Sequence, residues 1–307
     1  MKKMYIVALA VLLGVLFWAG NAHALKVQPV TIDEITLSPG ESVTKTIKLT
    51  NDGIDPITVA PKMYTADAST KEDGSATYVP ATSESTLPNW IIFKDGGETT
   101  LQPGETKSVP MFISLPQDAP PGTHLAMVGW GTTTGSQPTT SGASVVGLTG
   151  INVAIDVRGE TVEKGEVTYF GTEGGLTKFD KLPITFLARF NNGGNRHFKP
   201  QGDVKIKNMF GSIVTVLPFN NLPGVGNVLP RSNREFKVVW DSGFAFGKYT
   251  ALFDVTMGGA GSVSKSFTFW VLPTGLLVLW LIIALVIVVI LVLLIKKMLE
   301  SAGTVKK

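Results

Sequence analysis

Between Leu25 and Thr274 no stretch repeats its apolar residues at a helical period. Short alternating or apolar runs recur instead, separated by Pro-Gly, Asn-Gly-Gly and Asp-Gly steps that favour turns. Ser42 to Asn51 shows the pattern best. Val43, Ile47 and Leu49 share one parity, while Thr44, Thr46, Lys48 and Thr50 share the other, as a half-buried strand requires. Lys45 falls on the apolar side, where its stem can cover carbon and its ammonium can reach water. Such a chain reads as all-β, built from two packed sandwiches.

Two apolar blocks bracket this region. Lys2 and Lys3 precede an uncharged stretch from Met4 to Gly20, and Ala22-His23-Ala24 offers small residues for cleavage. Residues 1–24 are therefore expected to be a signal peptide; an uncleaved anchor is the other reading. Leu276 to Ile295 is uncharged and nearly all Leu, Ile and Val, the length of a membrane-spanning helix, and Lys296 and Lys297 follow it. The expectation is one span over 275–295, a basic cytoplasmic tail over 296–307, and the bulk of the chain outside at the cell surface. Leu272-Pro273-Thr274-Gly275 lacks the extra residue of a Leu-Pro-X-Thr-Gly sorting signal, so it reads as a helix-start breaker.

Two modules are expected between these ends, over 25–158 and 159–274. In the first, Leu37-Ser38-Pro39-Gly40-Glu41 and Leu101-Gln102-Pro103-Gly104-Glu105 are similar turns, each leading into a strand. Further strands are expected over Val109–Leu115, His124–Trp130 and Val145–Val157, with a loop over Thr132–Gly142. In the second, strands are expected over Leu182–Asn191, Gly202–Asn208, Ile213–Leu217, Glu235–Trp240, Tyr249–Val255 and Ser264–Val271, with Trp240 in the core.

This order of parts resembles the WxL-interacting surface proteins of Gram-positive bacteria. The resemblance is carried by Leu101 to Pro116 and Pro120-Pro121-Gly122-Thr123-His124 in the first module. In the second it is carried by the path from Asn191 through Pro200 and Leu229-Pro230-Arg231-Ser232 to Val239-Trp240 and Gly247-Lys248-Tyr249-Thr250. It implies a peptidoglycan-binding domain followed by an immunoglobulin-like, host-binding-type domain and an anchor. These motifs specify turns and strands more than a ligand.

Chemistry is sparse. The chain has no Cys and only 3 His, which excludes a disulfide scaffold, a thiolate zinc site and a Cys nucleophile. No Gly-x-Ser-x-Gly elbow and no His-x-x-x-His pair occurs. Gly243 to Tyr249 departs from a phosphate loop by one residue and by a Tyr in place of Ser or Thr, so a hairpin turn is expected there. Asp67, Glu72 and Asp73 could offer oxygens to calcium, but a solvated acidic loop is the simpler reading. No enzymatic activity, cofactor or nucleic-acid partner is expected.

Charge divides the chain. Residues 25–158 carry 8 Lys and Arg against 14 Asp and Glu; residues 159–274 carry 13 against 9. The candidate ligand surface follows from this and from the indoles. Arg196, His197, Lys199, Lys205 and Lys207, with Arg189, fall in one stretch, and alternation puts Lys205 and Lys207 on one strand face. Trp90 and Trp130 could stack on sugar rings, although packing is the commoner role of an indole. The leading expectation is a membrane-anchored surface protein that binds cell-wall peptidoglycan or another surface protein non-covalently. The alternatives are a structural subunit of an envelope complex, and a chaperone whose exposed edge accepts a partner's strand.

Overall fold

The computed structural model describes residues 25–133, 148–221 and 226–304. The expected signal peptide, and most of the loop expected over Thr132–Gly142, lie outside them. The chain divides into two compact units: Met1–Ser69 with Ser75–Val162, and Thr70–Gly74 with Glu163–Lys307.

Unit 1 is a sandwich. One sheet runs in the order β1 (Leu25–Gln28), β3 (Ser42–Asn51), β8 (Thr106–Ser114), β6 (Ile91–Phe93). The other runs β2 (Thr31–Leu37), β10 (Leu148–Val157), β9 (Gly122–Thr132), β4 (Ile57–Ala68), β5 (Ala76–Pro80), with β7 (Thr99–Leu101) also on β4. A single turn of helix, α1 (Leu87–Trp90), precedes β6. The alternation in β3 is realised: Ile47 and Leu49 are buried, Thr46 and Lys48 are exposed, and Lys45 is half-buried on the apolar side. Both inner faces meet in one core that includes Ile47, Leu49, Met111, Ile113, Val128, Trp130 and Ile151.

Unit 2 repeats the plan. Its first sheet is β11 (Gly165–Thr172), β13 (Ile184–Asn192), β16 (Ser232–Trp240). Its second is β12 (Lys178–Phe179), β18 (Ser262–Val271), β17 (Gly247–Thr256), β14 (Gln201–Asn208), β15 (Ile213–Phe219). The core is rich in phenylalanine. Phe219 meets Phe236 at 5.5 Å and Phe253 at 4.8 Å between ring centroids, and Phe190 stands edge-on to Phe236 at 5.6 Å. Trp240 is buried as expected. The segment from Gly243 is not a hairpin: β16 and β17 lie in different sheets, so it carries the chain across the sandwich.

The two units close one side alike. The opening segment pairs with one sheet as β1 or β11, crosses over, and pairs parallel with the last strand of the other sheet as β2 or β12. One chain segment is thus bonded to both sheets at that side of each sandwich.

The expectation of a membrane span is corrected. A helix, α2 (Thr274–Thr304), does follow the last strand of unit 2. Among the described residues no helix is long and apolar enough to cross a membrane. The single-pass anchor through Leu276–Ile295, the cytoplasmic tail and the assignment to the cell membrane fall with it.

Candidate functional site

The other side of unit 2 is open. There β15 ends one sheet and β16 ends the other, and among the described residues no strand pairs with either outer edge. Alternation sends Phe236, Val238 and Trp240 inward from β16 and leaves Lys237 and Val239 outward. From β15, Leu217 and Phe219 turn inward. A groove of about 380 Å³ lies between the edges. Leu217, Phe219, Phe236 and Val238 make its apolar floor; Pro218, Lys237 and Val239 form its rim; Asn220 and Asn221 stand at one end.

The backbone of β16 is ready for further pairing. In an antiparallel pair the N–H and C=O of one residue point to the same side, and successive residues alternate. The N–H of Glu235 donates to the Glu72 carbonyl at 2.7 Å, so Glu235 points away from β13. Lys237 and Val239 share its parity and present their N–H and C=O groups to the groove. Pro218 has no N–H, which removes one donor from the β15 side.

The first half of that edge is already taken. The segment Thr70–Gly74, which belongs to unit 2, lies against it. Glu72 has φ +60, and its carboxylate accepts from Arg189 Nε at 2.6 Å and from a second guanidinium nitrogen. These bonds from Arg189 hold the Glu72 carboxyl below its usual range, aided by the guanidinium charge and an Asn233 bond, against a smaller opposing effect of burial. Arg189 is raised in turn by the same carboxylate. Arg234 covers the Phe236 ring at 4.8 Å, and its burial lowers it from the usual guanidinium range.

Asn220 sits at this same end. Its Nδ2 donates to the carbonyls of Pro200 at 2.6 Å and Gly226 at 3.0 Å. Its Oδ1 is buried with no donor among the described residues. A buried carbonyl oxygen without a donor is costly.

Unit 1 shows the alternative state of such an edge. Its counterpart of β16 is β8, and there β6 pairs antiparallel with the outer edge: Ile91 with Ile113, Ile92 with Phe112, Phe93 with Met111. Ile91 and Phe93 are buried while Ile92 is exposed. Leu87 of α1 and Leu101 of β7 are fully buried around them.

The residues singled out in the sequence do not gather at this groove. Trp130 is 0 % exposed and stands edge-on to Phe93 at 5.8 Å, so it cannot stack on a glycan. Trp90 is half-buried and edge-on to His124 at 4.8 Å. Lys205 and Lys207 do share a face of β14, with Val204 and Ile206 buried beneath. That face is balanced rather than basic: Lys205 meets Asp254 at 2.9 Å, and Asp254 also accepts from Ser264 at 2.7 Å. Both bonds lower the Asp254 carboxyl, and Asp254 raises Lys205. Arg196 lies 3.4 Å from Glu163, and His197 and Lys199 are half-buried beside it in sequence. The acidic loop holds no calcium set. Glu72 is committed to Arg189, and among the described residues no three His, Cys, Asp or Glu side chains could hold a metal. The groove had no signal of its own in the sequence, because it is made by the absence of a neighbouring strand.

No family model matches this chain, and no curated protein does. Solved structures do resemble it. One is the class 5 fimbriae chaperone CfaA, 10% identical, with 79% of this chain and 98% of that one covered and a TM-score of 0.40. Another is the E. coli chaperone DraB, at 11%, 80% and 97%, with a TM-score of 0.36. A third is the Salmonella enterica SafA pilin in complex with the SafB chaperone, at 11%, 82% and 99%, with a TM-score of 0.36. Peptidoglycan as the partner is corrected: of the two indoles expected to stack on sugar rings, Trp130 is sealed in the core and Trp90 packs edge-on to His124.

Proposed function

We propose that this chain is a protein-binding module that accepts an extended strand of a partner protein at the open side of unit 2, in the manner of an edge-strand chaperone. The observation that carries this reading is the outer edge of β16, whose Lys237 and Val239 peptide groups border an apolar groove and have no strand on them among the described residues. Sheet edges of this kind are usually blunted, because they invite another chain. Here one half is covered by Thr70–Gly74, and the other is left open over a floor of core side chains. Backbone bonds would supply affinity and the floor would supply selectivity, the division of labour seen when a strand adds to a sheet.

Hydrogen exchange on the full chain tests this. A protein that binds should slow exchange at the amides of Lys237 and Val239, and Val238→Glu should abolish both the binding and the slowing. Protection confined to other strands, or binding unchanged by the charge at Val238, would remove the reading.

A further inference from the structure

Unit 1 carries, within the same chain, a filled edge of the kind on which unit 2 has no strand among the described residues. From that filled edge we infer the chemistry of the occupant: a partner polypeptide strand, antiparallel to β16, with an apolar residue facing Val238, an acidic residue facing Lys237 and an apolar residue facing Phe236. This inference rests on the strand-accepting reading above and specifies its partner.

The alternation comes from Ile91-Ile92-Phe93, and the groove lining sets where it falls on β16. On β8, the inward Met111 and Ile113 face the inward Phe93 and Ile91, and the outward Phe112 faces the outward Ile92. On β16, Phe236 and Val238 hold the inward parity and Lys237 the outward one. A strand laid on β16 in the same sense therefore buries every second side chain on Leu217, Phe219, Phe236 and Val238. Burying two aliphatic side chains contributes enough to select them over polar ones.

Charge selects the middle residue. Among the described residues that line the groove, Lys237 carries the charge. It is exposed, with its ammonium bonded to Glu173 on the far side from the floor. A residue directly across from it on a neighbouring strand stands close enough for an opposite charge to be favoured and a like charge to be disfavoured. The end of the strand is set as well. Glu72 already takes the Glu235 N–H, so the occupant stops at Phe236.

The probe is a blocked nine-residue peptide with Ile, Glu and Phe at its centre, flanked by Ser and Thr, titrated into the full chain and followed by NMR. A scrambled peptide of the same composition should bind at least about tenfold more weakly. Replacing the central Glu by Lys should weaken binding about threefold, and Lys237→Glu should reverse that preference. A nitroxide on the peptide N-terminus should broaden the amide of Trp240 rather than that of Glu235. Equal binding of the scrambled peptide, an unmoved charge preference, or broadening at Glu235 would overturn the inference while leaving strand acceptance standing. No binding by any of these peptides would overturn both. A second copy of this chain as the occupant would show as self-association blocked by Val238→Glu, and would overturn the partner assignment.

Discussion

The two sandwiches share a strand plan and close one side in the same way, yet they treat the opposite side differently. In unit 1 the long connection from β5 to β8 is apolar enough to fold into the gap, placing Leu87, Ile91, Phe93 and Leu101 in the core and adding a fourth strand to the sheet. In unit 2 the connection from β15 to β16 is far shorter. It contributes Val228, bridged to Phe198, and Asn220, and among the described residues no strand of it pairs with the second half of β16. Whether a sheet edge is closed or available thus depends here on the connector rather than on the strands.

The largest effect should come from emptying the closed side. Phe93→Ala removes a ring that stands edge-on to Trp130 and should cost unit 1 about 3–5 kcal/mol, and Leu87→Ala about 2–5 kcal/mol. Val238→Ala, at the half-buried floor of the open side, should cost unit 2 about 1 kcal/mol or less, since fewer contacts are lost. Denaturant unfolding with a probe in each unit measures all three. Equal losses would mean that the groove of unit 2 is as tightly filled as the core of unit 1, and the contrast would fail.

A second pair of substitutions should show where the units agree. Asn51 ends β3 and Asn192 ends β13; both are fully buried. Asn51 donates to the carbonyls of Asp55 at 2.8 Å and Leu101 at 3.2 Å, and accepts from the Gly53 N–H at 2.9 Å. Asn192 donates to Arg196 at 2.8 Å and Val228 at 3.0 Å, and accepts from Gly194 at 2.9 Å. Each amide ties the turn after its strand to the connector on the variable side. Replacing either by Ala strands several buried backbone groups and should cost about 2–3 kcal/mol. Thermal unfolding of Asn51→Ala and Asn192→Ala should show similar losses. A loss confined to Asn51 would mean that only the filled side needs its connector fastened.

Much of this plan was legible from residue order. The strands of unit 2 fall within a few residues of their expected places, because Ile184–Asn192 and Gly247–Thr256 alternate strictly between core and solvent. The Asn-Asp-Gly and Asn-Gly-Gly turns were legible for the same kind of local reason. Trp130 was harder. Its strand runs through the middle of its sheet and is buried toward its end on both faces, so parity no longer separates inside from outside. β6 has three residues, too few for any period, and Leu87-Pro88-Asn89-Trp90 reads as a turn although Leu87 is fully buried. The cationic stretch hides its partners for another reason: Glu72 and Asp254, which meet Arg189 and Lys205, lie far off in sequence and arrive only through the fold. The open edge was beyond reach by any local pattern, since a missing neighbour leaves no mark on the strand that lacks it.

The smallest effect concerns the covered half of β16, on which Thr70–Gly74 lies. Its hold depends on the Glu72 carboxylate and Arg189. The folded-state pKa of Glu72 lies below its unfolded value of ~4.3, so its contribution is fully present above that value. As pH falls through the lower, folded value, the carboxyl takes up a proton and the contribution disappears. Glu72→Gln, which holds no charge at any pH, should therefore melt below the wild-type protein at neutral pH and draw level with it in acid. Melting curves of the two proteins between neutral pH and pH about 2.5 would show the gap narrow below ~4.3. A gap that stays constant across this range would mean that geometry, not charge, fastens the segment. The covered half of β16 would then be closed as β6 closes β8, by backbone pairing and packing, and the two units would differ only in how much of the edge is filled.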